Sequence, residues 1–578
     1  CPACSNGYLK YSGQAGAKAE FSFYGTGVKW NTAKAPVLGK AKIYFDGAYK
    51  GMVDLYRSTV QYPLVLGGSG IPPGNHTLTI EVSGQKNASS TGYYTVIDAF
   101  EAIPAIRNAP ATYLFYIAES TSNPSAGSGL YAVDPDNPGA QPYTIEASGI
   151  EEHSVSNVFY GNVDFINQVV SGAHGNHAVM YAKQGKIYRV DGLKGGSLVP
   201  YQISNEAGIT SVCDTRIGQD FSDLNSSQYL YSQPGPDGNC WTDDDLWRMV
   251  RLGMSAVDTP IPAKEPVDIG WNQSNGSIIG WLVKDGGSLK RCDKNFASCT
   301  TVINFTNSAE EIGWSPLGLI PLAIDNKLYV YNFSNGTLSG ALYTFSDPYP
   351  GWGEYDLSAF YIKDNEKILR LDWGNYSITQ LVDEGAFNDI YDLRVTRNRI
   401  IYSVGNQSLK SIPKTGGSPI ILAQVVTPGT YIDISDISYN GHVYYEIIGV
   451  AGHIKDDGTG KDEVQNAQWI GGVYPTDFSF DNMEGRDKVI RAECSLYSGC
   501  GNGTIRAFDA STYSNPLIMG TLPGDISSVW FGGYGSHLLV EGWPSAGSIS
   551  DVLYLNTGTA NSLRRITNTT DISEYPAF

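Results

Sequence analysis

Eight cysteines fall in four close couples: Cys1/Cys4, Cys213/Cys240, Cys292/Cys299 and Cys494/Cys500. An even count with near neighbours predicts four local disulfides and an oxidising compartment. Pairing of this kind leaves no thiol nucleophile. Only Cys1-Pro2-Ala3-Cys4 has zinc-like spacing, and no second knuckle or histidine pair follows it. There is no Cys-x-x-Cys-His run, so covalent haem is excluded, and no nucleotide cofactor is expected.

Oxygen donors concentrate in Asp237-Gly238-Asn239-Cys240-Trp241-Thr242-Asp243-Asp244-Asp245. Asp237, Asn239, Asp243 and Asp245 form a candidate calcium turn, because calcium takes clustered oxygens. The run lacks the full EF-hand pattern, and Asp, Asn and Gly also favour turns for backbone reasons. His174-Gly175-Asn176-His177 has no glutamate between its histidines, so it is no zincin motif. No Gly-x-Ser-x-Gly elbow stands out, and nothing selects an acid/base pair among 58 acidic residues. No catalytic residue is therefore assigned.

Sugar-stacking aromatics are sought near turns. Tyr62, Tyr93 and Tyr94 are the candidates, whereas Trp30 sits inside an apolar strand end and is expected in the core. Twelve asparagines precede x-Ser/Thr and are candidate N-glycosylation sites in a glycosylating host: Asn75, Asn87, Asn225, Asn272, Asn275, Asn304, Asn332, Asn335, Asn375, Asn406, Asn502 and Asn568.

The elements that must position these residues are strands. Residues 1–104 alternate apolar and polar, as in Ala41-Lys42-Ile43-Tyr44-Phe45 and Thr77-Leu78-Thr79-Ile80-Glu81-Val82. Asp46-Gly47 marks a hairpin turn. This predicts a β-sandwich. Residues 105–112 read as a linker, and 113–578 carry a repeated strand–turn–strand phrase. Its nine copies include Lys186-Ile187-Tyr188-Arg189-Val190-Asp191 and Lys367-Ile368-Leu369-Arg370-Leu371-Asp372. A strand repeat of this length predicts a propeller of eight or nine blades. One gap of 96 residues, from Leu409 to Ile505, predicts a blade with a long insertion around 448–490. The strand signal Asp571-Ile572-Ser573-Glu574-Tyr575-Pro576 is an orphan that would complete the first blade and close the ring. The fold class is thus all-β: an N-terminal jelly-roll sandwich and a large C-terminal propeller.

Two resemblances follow from these motifs. Gly25-Thr26-Gly27-Val28-Lys29-Trp30, Gly39–Gly47, Val53–Tyr56, Pro72–Ile80 and Val96–Glu101 resemble, in order, the galactose-binding-like jelly-roll modules of bacterial secreted and surface proteins. That resemblance implies glycan binding. Ile312-Gly313-Trp314-Ser315-Pro316 and the Ser573–Phe578 ending resemble TolB-like propeller repeats of bacterial envelope proteins.

Net charge is −19, from 39 basic and 58 acidic residues, with no basic cluster, so nucleic acid is a poor partner. No apolar run reaches the roughly 18–20 residues of a spanning helix. Cys1 fits either a disulfide with Cys4 or the acylated thiol of a lipoprotein after signal-peptide removal, which would leave Cys4 single. These features predict a non-catalytic extracellular or cell-surface protein for binding or assembly. Its partner would be a protein, a glycan, or further copies of itself in a surface structure or filament. The alternatives are a secreted polysaccharide- or peptide-acting hydrolase or lyase with its site on the propeller, and an envelope scaffold resembling TolB.

Overall fold

The structure is a computed structural model. It describes residues 9–103, 112–120, 127–164, 169–194, 198–204, 211–242, 245–253, 259–261, 265–272, 276–313, 318–347, 350–386, 388–405, 407–425, 431–438, 440–473, 477–479, 486–493, 503–514, 516–522, 525–534, 537–543, 550–567 and 572–576. Within the strands of these ranges some side chains, such as those of 69–75, 159–176 and 524–536, are not described. The chain divides into two compact units, Cys1–Ala109 and Pro110–Phe578.

In the first unit, a five-stranded antiparallel sheet runs in the order Ala48–Asp54, Lys40–Phe45, Gln61–Val82, Lys18–Lys34, Ala99–Ile103. Lys10–Ser12 pairs separately with Thr95–Ile97. Period two decides what is buried: Leu78, Ile80 and Val82 turn inward, beside Trp30, Leu38, Ala41 and Leu55. Trp30 is in this core, as expected, and its indole donates to Val96 O at 3.2 Å. Asp46 and Gly47 both take positive φ, 50° and 76°, in the tight turn that joins two strands.

The second unit holds nine sheets among the described residues, numbered here sheet 1 to sheet 9 in chain order. Sheet 1 is eight-stranded; the others are four- or five-stranded. Each is an antiparallel meander. The strand Tyr143–Asp164 is so long that it serves two halves of sheet 1, one with Leu114–Ser120 and Ser128–Val133, the other with Val169–Lys183 and Lys186–Asp191.

Packing between sheets makes the ring. An apolar strand face cannot be covered within its own sheet, so it must find the next one. Met180 of sheet 1 packs with Tyr229 and Tyr231 of sheet 2. Trp247 of sheet 2 packs with Ile269 and Trp281 of sheet 3. The pattern continues pair by pair up to Ile490 of sheet 8 with Leu538 and Leu553 of sheet 9. It closes with Leu539 and Tyr554 of sheet 9 against Leu114 and Tyr116 of sheet 1. A further cluster, Phe115 and Leu130 with Tyr181 and Val190, lies between the two halves of sheet 1. The second unit is a closed β-propeller. Ile572–Pro576 pairs antiparallel with Leu114–Ser120, from Ile572↔Ser120 to Pro576↔Tyr116, so the closing strand is in place.

One expectation is corrected. The stretch 448–490 is not an insertion: Val450–Lys455 and Asp462–Gln465 are the third and fourth strands of sheet 7, and Ala467–Val473 and Lys488–Glu493 belong to sheet 8. The repeated phrase is the third strand of its group. Sheet 7 has no copy because Ala451-Gly452-His453 interrupts it with small and polar residues. The excursion is shorter, between Val473 and Lys488. Within it Asp477–Ser479 pairs with the strand Val169–Lys183 of sheet 1.

Candidate functional site

In each meander the start of the first strand and the connection between the second and third strands lie at the same end. In sheet 2, Thr215 faces Tyr231 and Gln233 faces Leu246. In sheet 3, Glu265 faces Lys284. In a ring of such sheets these ends form one face. That face carries a cleft of about 550 Å3 between sheets 2, 3 and 4. Its walls include Asp214, Ser232, Trp241, Glu265, Lys284 and Glu310.

Trp241 stands at this cleft, 75% exposed. Its φ is +60°, a left-handed conformation that costs a bulky L-residue roughly 1–2 kcal/mol. Local bonds hold it there. Trp241 N donates to Asp245 Oδ2 at 3.0 Å, and Thr242 Oγ1 donates to Asp245 Oδ1 at 3.3 Å. The neighbouring Cys240 is bonded to Cys213, with Cα atoms 5.1 Å apart. A crosslink and a buried carboxylate thus maintain the strained turn. Trp241 lies inside the acidic run, yet the sequence gives no sign of its exposure.

The first strands behind this face are acidic. Sheets 3 to 7 carry Asp268, Glu311, Glu354, Asp392 and Asp433 in turn. Burial pushes the Glu311 carboxyl well above the usual range, and the charge of Asp268 adds to it, against the pull of Arg216. Burial likewise raises Asp268, whose Oδ2 is sealed from solvent with no hydrogen-bond partner among the described residues. Asp268 Oδ1 accepts from Ile269 N at 2.7 Å. Arg394 sits between Asp392 and Glu354, at 2.8 Å and 3.3 Å. Near the starts of the first strands of sheets 5, 6 and 7, Trp352, Tyr391 and Tyr431 are all at least half exposed.

Of the anticipated calcium turn, Asp237, Asn239 and Asp245 are described. Asp237 Oδ1 accepts from Asn239 N at 2.8 Å, and Asp245 is committed to Trp241 and Thr242. Asp243 lies outside the described residues. Among the described residues no group of three acidic, histidine or cysteine side chains is placed to hold a metal. Of the expected disulfides, Cys213–Cys240 and Cys292–Cys299 are formed. Cys1, Cys4, Cys494 and Cys500 lie outside the described residues.

In the first unit, Tyr62 is tied down: its hydroxyl donates to Asp98 Oδ2 at 2.9 Å. Tyr93 and Tyr94 are exposed. Lys86 Nζ lies 5.1 Å from the Tyr93 ring centre, and Tyr94 meets Tyr11 edge-on at 5.6 Å. The three tyrosines therefore do not share one environment. Among the sequons, Asn225, Asn304, Asn335 and Asn375 are exposed, Asn272 and Asn332 are half-buried, and Asn87 donates to Asp54 Oδ2 at 2.9 Å. The side chains of Asn75, Asn275, Asn406, Asn502 and Asn568 are not described.

No protein-family model matches the chain. A curated relative, the A type blood N-acetyl-alpha-D-galactosamine deacetylase of Flavonifractor plautii, is 32% identical over 74 residues, which are 13% of this chain and 10% of the relative. Solved structures with similarity include the dihydro-heme d1 dehydrogenase NirN, at 13% identity and TM-score 0.34, covering 72% of this chain and 76% of that one. Another is PorZ, a surface component of the type-IX secretion system of Porphyromonas gingivalis, at 11% identity and TM-score 0.25, covering 72% of this chain and 53% of that one.

Proposed function

We propose that this chain is an extracellular binding protein whose propeller takes carbohydrate in the cleft at Trp241. The carrying observation is that exposed indole, held in a strained conformation at a polar-walled cleft. An aromatic face beside hydroxyls and carboxylates suits a sugar ring, which offers C–H groups on one face and hydroxyls at its rim. The two disulfides favour an oxidising, extracellular setting. Among protein, glycan and self-association, the cleft favours the glycan. The curated relative is named for an action on an N-acetylated galactosamine, which agrees in class over its short span.

A glycan array probed with the full chain tests this. Binding to at least one glycan class, lost in Trp241→Ala, is the expected result. Binding unchanged in Trp241→Ala, or no glycan bound at all, overturns it.

A second reading is a polysaccharide-acting enzyme. It is favoured by Asp268 and Glu311, two carboxyls on adjoining first strands, both with raised proton affinity. Turnover of a bound polysaccharide that disappears in Glu311→Gln while binding persists would establish it over simple binding.

A further inference from the structure

The cleft at Trp241 is unbalanced in charge. Among the described residues, four carboxylates line it, Asp214, Asp245, Glu265 and Glu310, against one lysine, Lys284. Three of the four are engaged. Asp214 Oδ1 accepts from Arg216 Nη1 at 2.8 Å, and Asp245 holds the turn around Trp241. Glu265 pairs with Lys284 at 3.1 Å, which uses the one cation of the lining among the described residues. Glu310 is different: it is exposed and has no side-chain hydrogen-bond or ion-pair partner among the described residues. Ser232 adds a second unmet group. It lies in the cleft lining, its side chain is fully buried, and its hydroxyl has no partner among the described residues.

We infer that the cleft selects an amine-bearing sugar, with its ammonium on Glu310 and a ring face on Trp241; this rests on the carbohydrate reading above. A neutral sugar leaves Glu310 unmatched. A uronic acid brings like charge into an already negative cleft. An ammonium pairs with Glu310 and is also drawn to an indole face, whose quadrupole is negative. N-acetylation removes that charge and leaves a single neutral N–H donor, so the ion pair and the cation–π attraction are lost. The chemical class is therefore the free amino sugar, not its acetamide.

Isothermal titration of the full chain with oligomers of glucosamine, of N-acetylglucosamine and of galacturonic acid, near pH 6, tests the inference. The glucosamine oligomer should bind about tenfold more tightly than its acetylated form, the worth of one charged hydrogen bond, and the galacturonate weakest. Glu310→Gln, at an exposed position with no structural bond to lose, should weaken the glucosamine oligomer more than the acetylated one and so remove that preference. High salt should also weaken the preference. Equal affinities in the wild type, or a preference that survives Glu310→Gln, overturn the selection, yet Trp241-dependent binding in the same titrations leaves the carbohydrate reading standing. Binding of none of the three oligomers overturns the inference, and the glycan array then decides the reading beneath it.

Discussion

Arg394 Nη1 donates to Asp392 Oδ1 at 2.8 Å, two residues back along the same strand. The same nitrogen reaches Leu393 O at 3.0 Å and Glu354 Oε1, on the first strand of the preceding sheet, at 3.3 Å. Arg216 repeats the local part in sheet 2, with Asp214 Oδ1 at 2.8 Å and Thr215 O at 3.0 Å. In both, the carboxylate also accepts from the next backbone N–H, at 2.8 Å and 2.7 Å. Residues i and i+2 share a strand face, so Asp-x-Arg is a ready local clamp. The difference is that Arg394 also ties two sheets together.

That difference predicts unequal losses. Arg394→Met strands Asp392 and Glu354 beside each other without their cation, and should cost about 1–2 kcal/mol. Arg216→Met removes a half-exposed contact and, at pH 5, where the buried Glu311 that it also attracts is protonated, should fall within about 0.5 kcal/mol of wild type. Thermal melts of the two variants check this. Equal drops would mean that the bridge to Glu354 contributes nothing.

Reducing the Cys213–Cys240 bond should act on both stability and the cleft. The crosslink closes a loop with a sequence separation of 27, worth roughly 3 kcal/mol by the chain-entropy model. Cys213→Ser/Cys240→Ser should therefore melt lower, and Trp241 should lose its fixed pose. Trp fluorescence quenching by acrylamide and glycan binding would report the second effect. A double variant with wild-type affinity would show that Asp245 alone suffices to hold Trp241.

The acidic first strands predict a pH dependence of unusual sign. Burial raises the proton affinities of Glu311 and Asp268, and the charge of Asp268 raises that of Glu311 further. Glu446 is also raised by burial, to about 7. A carboxyl whose folded pKa exceeds its unfolded value binds more protons when folded. Its stabilising contribution is complete below the ordinary carboxylate range and is lost as pH rises through the folded value. Glu311→Gln should thus raise the melting point at pH 8 and change it little at pH 4. A variant that melts lower than wild type at pH 8 would contradict the assignment.

How far the sequence foretold this molecule depends on the range of the interaction concerned. The Asp46-Gly47 turn was readable because its conformation depends on two adjacent residues. The strands were readable from period two, and the closing strand from Ser573-Glu574-Tyr575-Pro576, because edge pairing demands a partner. Sheet 7 was misread as an insertion because Gly452 and His453 break the phrase that its neighbours repeat. The cleft was out of reach. Its walls run from Asp214 to Glu310, and an exposed indole such as Trp241 leaves no periodic trace. Asp268 and Glu311 likewise look like ordinary surface carboxylates until their strands are set side by side.

Removing the closing strand should open the ring. Ile572–Pro576 supplies the edge partner for Leu114–Ser120, whose backbone groups are otherwise unpaired on that side. A chain ending at Thr570 should unfold less cooperatively and self-associate through the bared edge. Light scattering and calorimetry would test this, and adding the peptide 571–578 in trans should reverse the added self-association. A truncated chain with the wild-type transition would deny the strand its role.

A buried histidine pair predicts the acid limb. His442 Nδ1 and His453 Nε2 lie 2.8 Å apart, and His453 stacks on Tyr513 with ring centres at 3.8 Å. One ring must donate and the other accept, so a hydrogen bond between two imidazolium ions is impossible. Burial lowers both pKa values, and the charge of His442 helps to bring His453 to about 4. The folded pKa lies below the unfolded one, so this stabilisation is complete above about pH 6.5 and is lost as pH falls towards 4. The direction is opposite to that of Asp268 and Glu311, so only variants can separate the two. His453→Gln can still bond to His442 but cannot take up a proton. It should melt lower than wild type at pH 7 and lose the share of the decline between pH 6.5 and 4 that comes from His453, up to roughly 3 kcal/mol, while the share of His442 remains. If the decline is undiminished in His453→Gln, its acid sensitivity arises elsewhere in the ring.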